Sequence, residues 1–302
     1  MQSTRQIRRQ IQSIKSTSQI TKAMQMVAAS KMRKSQETAL MARPYAQAAL
    51  KLLENVSESV EPKQHSLLEN RDVKNVCILV VSSDKGLCGG LNSNVIRETL
   101  KIMEQHKSKN ISLITVGKKA ENYFRKTKKI SASFSGFGDT IELKETLPLS
   151  RVLLDDFTSN KYDKIVAVYT NFVSTLKQEA KVKKLLPITK RSIEETIEEI
   201  EDMAIKNNNG EKNGGNGIEY KFEPSADEVL CRLLPNLVET QVYHIVLESN
   251  ASEHSARMVA MKSATDNARE ILGDLKLSYN YIRQQKITQE ISEISAGVAA
   301  QE

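Results

Sequence analysis

Val76-Cys77-Ile78-Leu79-Val80-Val81, running into Ser82-Ser83-Asp84-Lys85-Gly86-Leu87-Cys88-Gly89-Gly90, is the stretch on which the fold class turns. The apolar run has strand length and no polar alternation, the pattern of a strand buried on both faces of a parallel sheet. The Gly-rich stretch behind it reads as a strand-to-helix connection in which Gly86, Gly89 and Gly90 permit tight backbone geometry. It is not a phosphate loop, because neither GxxxxGK[ST] nor GxGxxG occurs. Downstream the pattern alternates. A helix is predicted over Asn94–His106, a strand over Ile111–Val116, a basic helix over Lys118–Lys126, a strand over Ile130–Phe134, a helix over Glu145–Thr158 and a strand over Lys164–Tyr169. Such alternation predicts an α/β domain with a mostly parallel sheet, here spanning 73–224. Inside it, 190–218 is predicted to be a variable, disordered loop. An acidic helix candidate, Ser192–Met203, leads there into a polar Asn/Gly tract at 207–217 that can bury almost nothing.

Both ends of the chain read as long helices. Residues 1–57 hold Pro44 and no Gly. Some fifty helical residues would extend roughly 75–80 Å, more than a small domain can bury. The apolar positions Ile7, Ile11, Ile14, Ile20, Met24 and Val27 predict one narrow stripe. The step from Ile14 to Ile20 breaks heptad register, so an irregular coiled coil is expected. The other faces are basic, with Arg5, Arg8, Arg9, Lys15 and Lys22 among their residues. Residues 225–302 form the second helix, with Pro235 near its start and Gly273 as an interruption. Its apolar positions include Val259, Leu272, Leu275, Ile282, Ile287, Ile291, Ile294 and Val298, interleaved with Ala256, Ala260, Ala264 and Ala268. The two helices bury their stripes most simply against each other, antiparallel.

Composition narrows the function classes. The 302 residues are 39% hydrophobic and 27% charged, with 5% aromatic residues and no Trp, which suits a helix-rich, extended chain. A net charge of +7 suits nucleic acid, an anionic membrane or an acidic protein. Cys77, Cys88 and Cys231 form no CxxC pair, and four scattered histidines offer no HExxH spacing, so neither a disulfide framework nor a metal site is predicted. No apolar run approaches the roughly 18 residues of a membrane span. The start of the chain has no secretory core. No base-stacking aromatic precedes Tyr45 in the basic helix. An acidic protein partner therefore fits that helix better than nucleic acid, although a basic coiled-coil module for nucleic acid or another acidic polymer stays open, as does a merely solvated face.

Four segments carry a family resemblance: Ile20-Thr21-Lys22-Ala23-Met24-Gln25-Met26-Val27-Ala28-Ala29-Ser30-Lys31-Met32; Asp84-Lys85-Gly86-Leu87-Cys88-Gly89-Gly90-Leu91-Asn92; Ser252-Glu253-His254-Ser255-Ala256-Arg257-Met258-Val259-Ala260-Met261-Lys262; and Ile287-Thr288-Gln289-Glu290-Ile291. In this order they resemble the gamma subunits of bacterial-type F-type ATP synthases. The resemblance implies a central Rossmann-like α/β domain flanked by terminal helices in a left-handed antiparallel coiled coil. It implies a rotor without catalytic residues, metal or cofactor, inside a hexamer of alpha and beta subunits. The partners it implies are that hexamer, the epsilon subunit and the ring of c subunits, but no nucleic acid. Membrane association would come only through the complex, at the cytoplasmic face of the bacterial plasma (inner) membrane. By the same resemblance, Lys22 and Met24 meet an acidic loop of a beta subunit, with Arg257 as a companion. Arg283 and Gln284 touch another beta loop, and Thr288 and Glu290 match positions important for coupling. Tyr220, Phe222 and Glu223 match the segment facing the c-ring, with Phe222 standing where a Tyr is frequent. Gln285-Lys286 replaces smaller residues.

Overall fold

A computed structural model of the chain describes residues 4–59, 66–69, 71–127, 129–138, 141–189 and 226–299. Helix α1 (Thr4–Ser59) is followed by strand β1 (Asn75–Val81), helix α2 (Leu91–Gln105), strand β2 (Asn110–Val116), helix α3 (Lys118–Phe124) and strand β3 (Ile130–Phe134). Helix α4 (Leu143–Thr158), strands β4 (Lys164–Phe172) and β5 (Gln178–Leu186), and helix α5 (Ala226–Ala299) complete the chain. It divides into two compact units, one of Met1–Ala29 with Arg257–Glu302, the other of Ser30–Ala256. Helices α1 and α5 contribute to both.

The sheet of the larger unit is five-stranded, in the order β3-β2-β1-β4-β5. β1 pairs in parallel with β2 and β4, β2 in parallel with β3, and β5 antiparallel with β4. The central run of β1 is almost wholly buried, as its unbroken apolar character requires, and its side chains divide between two cores. Cys77, Leu79 and Val81 meet Leu149, Leu153 and Phe157 of α4 and Leu234 to Leu247 of α5 on one face. Val76, Ile78 and Val80 meet Val95 and Ile102 of α2 with Ala120 and Phe124 of α3 on the other.

Three expectations change. β5 was not predicted, because Lys181, Lys183 and Lys184 hide its alternation. Lysines are what a sheet edge carries to discourage pairing with another chain. Gly273 does not interrupt α5, which runs through both Pro235 and Gly273. In the turn after β1, positive φ falls on Leu87 (65°) and Gly89 (59°) and not on Gly86 or Gly90. A further glycine, unforeseen, is indispensable. Gly117 has φ +89°, and a Cβ there would lie 2.2 Å from the Ser82 carbonyl oxygen. The acidic helix candidate at 192–203 and the tract at 207–217 lie outside the described residues.

Candidate functional site

The turn after β1 is a clasp. The first four backbone amides of a helix need partners from outside it, and the start of α3 takes most of them from this turn. Lys118 N donates to the Asp84 carboxylate at 3.0 Å, Lys119 N to the Ser83 carbonyl at 3.1 Å and Ala120 N to Ser82 Oγ at 2.9 Å. The other Asp84 oxygen accepts the Gly136 amide at 2.9 Å. Asn92 Nδ2 donates to Ser83 Oγ at 2.8 Å and to Cys88 Sγ at 3.2 Å, and Cys88 is buried. The amides that would cradle a phosphate are thus occupied by the chain itself. A second clasp comes from the 252–262 segment. Ser252 Oγ donates to the Thr170 carbonyl at 3.2 Å and Ser255 Oγ to that of Thr175 at 2.8 Å, fastening α5 to the β4–β5 hairpin. Two of the resembling segments therefore hold the fold together.

In the smaller unit α1 and α5 lie antiparallel. Thr21 Oγ1 and Thr265 Oγ1 are 2.8 Å apart, and Arg8 donates to Tyr279 Oη at 2.7 Å with its guanidinium 5.6 Å from the ring centroid. The covered positions of α1 include Ile7, Ile11, Ile14, Ser18, Thr21, Gln25 and Ala28, alternating in steps of four and three, with Met24, expected in the stripe, half-buried beside them. On α5 they include Met261, Thr265, Ala268, Leu272, Leu275, Tyr279 and Ile282, with Ala264 also partly covered. Both are unbroken heptad seams, which corrects the expected irregularity after Ile14. Small and polar residues carry the register there, while Ile20 and Val27, expected in the stripe, are 61% and 53% exposed. Ile287, Ile291 and Ile294, expected to pair with α1, are also exposed, and every residue from Arg283 to Gly297 faces solvent. Among the described residues, covering of α5 therefore ends at Ile282.

The residues singled out by resemblance fall into three groups. Lys22 is exposed, with Nζ donating to Gln25 Oε1 at 3.2 Å, and Met24 is half-buried beside it in sequence. Arg283, Gln284, Thr288 and Glu290 stand on the exposed end of α5, where the Thr288 carbonyl accepts from Ser292 Oγ at 2.9 Å. Arg257 differs, because only 9% of it is exposed and most of its side chain is already covered within the chain. Tyr220, Phe222 and Glu223 lie outside the described residues. Missed by sequence reasoning was the outer apolar patch of Ile20, Met26 and Val27. Their off-seam spacing was its signal.

The family model described as ATP synthase matches residues 3–301. An ATP synthase gamma chain of Pelotomaculum thermopropionicum is 44% identical over 303 residues, covering 100% of both chains. One of Roseiflexus castenholzii is 42% identical over 305 residues, covering 99% of each. The chain belongs to the ATP synthase gamma chain family. Membership makes it a non-catalytic stalk subunit, which accords with a turn that closes on itself. The fold is shared with the rotor of Euglena gracilis mitochondrial ATP synthase at TM-score 0.61 and 19% identity, over 94% of this chain and 98% of that one. In another rotational state of that enzyme the figures are 0.63 and 17%, over 98% and 94%. Among the described residues no helix of this family member is long and apolar enough to cross a membrane.

Proposed function

We propose that the chain is the rotating shaft of an F-type ATP synthase, passing torque between a membrane ring of c subunits and a hexamer of alpha and beta subunits whose beta subunits carry the catalytic sites. The observation that supports this best is the end of α5, where Ile287, Ile291 and Ile294 recur at helical spacing yet are 47%, 58% and 69% exposed. A stripe of that kind on a stalk subunit calls for a sheath supplied by other chains. The hexamer is the sheath in this reading, meeting Arg283, Gln284, Thr288 and Glu290 on α5 and Lys22 and Met24 on α1. Arg257 acts there mainly by positioning, since little of it is free to touch a partner. The epsilon subunit and the c-ring take the other end of the shaft, the ring through Tyr220, Phe222 and Glu223. The whole stands at the cytoplasmic face of a bacterial plasma membrane as a peripheral subunit.

The physics asks only for asymmetry. If each beta conformation prefers a different face of the shaft, turning the shaft shifts the populations of those conformations, and with them nucleotide affinity. Linkage makes the coupling reciprocal, so nucleotide binding turns the shaft in the other mode. The test is a complex of alpha, beta and this chain with a marker on Cys231, the exposed cysteine. Rotation of the marker during ATP hydrolysis is expected, with no hydrolysis by the chain alone. A stationary marker on a hydrolysing complex, or turnover by the isolated chain, overturns the proposal.

A further inference from the structure

The seam that α1 buries is the more polar of two that the helix offers. Ser18, Thr21, Gln25 and Ala28 are covered, while Ile20 and Val27 are 61% and 53% exposed and Met24 is half-buried. Ile20, Met24 and Val27 recur in steps of four and three, so they too form a stripe able to pair with a second helix. Each stands one residue before Thr21, Gln25 and Ala28 in turn. One residue is about 100° of helix, so a turn of this stretch by that angle exchanges the two stripes. Ile14, Thr17 and Ile20 would then follow in two successive steps of three, a local overwinding that coiled coils accommodate. Apolar burial alone favours the exchange.

A pair of hydroxyls opposes it. Thr21 and Thr265 are 9% and 2% exposed, with their Oγ1 atoms 2.8 Å apart. Each hydroxyl carries one hydrogen. Thr265 Oγ1 donates to the Met261 carbonyl at 2.7 Å. Thr21 Oγ1 then donates to Thr265 Oγ1, with the Ser18 carbonyl at 3.1 Å as its reserve acceptor. In the exchanged pairing Thr265 would meet the apolar Ile20, and its buried oxygen would lose the Thr21 donor. The unbroken heptad from Ile7 through Ile14 to Ser18 acts in the same direction.

We propose that the Thr21–Thr265 hydroxyl pair is a positioning key. It fixes the angle of α1 about its own axis, and so decides that Ile20 and Val27 face outward while Gln25 and Ala28 stay covered. A buried polar pair that selects one arrangement over a more apolar rival is the role that single buried asparagines play in coiled coils. The angle is a property of the isolated chain and needs nothing from the stalk reading. That reading enters only in making the sheath the user of the outward stripe.

The test uses the full chain in a Cys231→Ser background, which removes the exposed native thiol. Val27→Cys puts a probe at an exposed position, and Ala28→Cys puts one at a position only 2% exposed. With both threonines present, the thiol at 27 should react with a disulfide reagent at pH 8 far faster than the thiol at 28. Thr265→Val should slow the first and quicken the second, each by roughly tenfold, because exchange depends on access. Loosened packing alone would quicken both. Thr265→Ser keeps the hydroxyl and should behave as the native chain does. Thr21→Val combined with Thr265→Val should restore the native order, by matching two apolar side chains in the unbroken seam. Where Ala28→Cys does not fold, Ser18→Cys serves as the covered probe. Rates that Thr265→Val leaves unchanged, or raises together, overturn the proposal. So does a serine variant that follows the valine one.

Discussion

Gly117 shows how one residue holds a fold. Its φ of +89° and its close approach to Ser82 leave no room for a side chain. Gly117→Ala should cost about 2–4 kcal/mol, read as a lowered urea midpoint. The cysteines divide as their environments dictate. Burial pushes the Cys77 thiol up to about 12, with Asp156 adding to the rise and Lys161 opposing it. Cys88 is buried in the clasp, and Cys231 is exposed. One thiol per native chain should react with a disulfide reagent at pH 8, rising to three in denaturant; a native count of two or more contradicts the burial. Asp163 supplies a pH signature. The Asn75 amide, and less strongly that of Lys74, holds its carboxylate below the usual range against the opposing effect of burial. A depressed native pKa gives stability that is present above the unfolded value, about 3.9, and is lost as pH falls through the native one. Asp163→Asn should therefore flatten the fall of the urea midpoint below about pH 4, and an unchanged slope would remove Asp163 from the account.

Elements were legible where burial is complete and obscure where it is shared. The apolar run of β1 announced itself because both of its faces are covered. β5 was hidden because it is an edge, and half-buried lysines break its alternation. The seam of α1 was misread for a related reason. A heptad search follows large apolar residues, and here Ser18, Thr21, Gln25 and Ala28 carry the register. Ile20 and Val27, which looked like core, face outward and are better signs of a partner surface. The 252–262 segment was legible as a motif but not as the fastener that Ser252 and Ser255 make of it. Gly273 yields a test at this scale. A Cβ there would meet nothing within 4 Å, so Gly273→Ala should stabilise α5 by roughly 0.5–1 kcal/mol, seen as a higher melting temperature by circular dichroism. If the same change slows hydrolysis by the assembled complex, the space is one that a partner uses.

At the scale of the whole molecule the question is how little contact a shaft needs. Met24→Lys adds a charge two residues from Lys22, on a helix read as meeting an acidic loop. It should lower protons pumped per ATP hydrolysed several-fold while leaving hydrolysis within about twofold, the signature of a deepened contact at one angle. An unchanged ratio would remove Met24 from the contact. The stretch of α5 beyond Ile282 has a further consequence for how a cell handles this polypeptide. A copy made in excess of its sheath would leave Ile287, Ile291 and Ile294 in water, on a helix end with no second strand to hide them. Such a copy is a ready substrate for proteases and for clumping with its own kind. Synthesis must therefore be matched in number to the subunits that enclose it, or followed by swift disposal of the surplus.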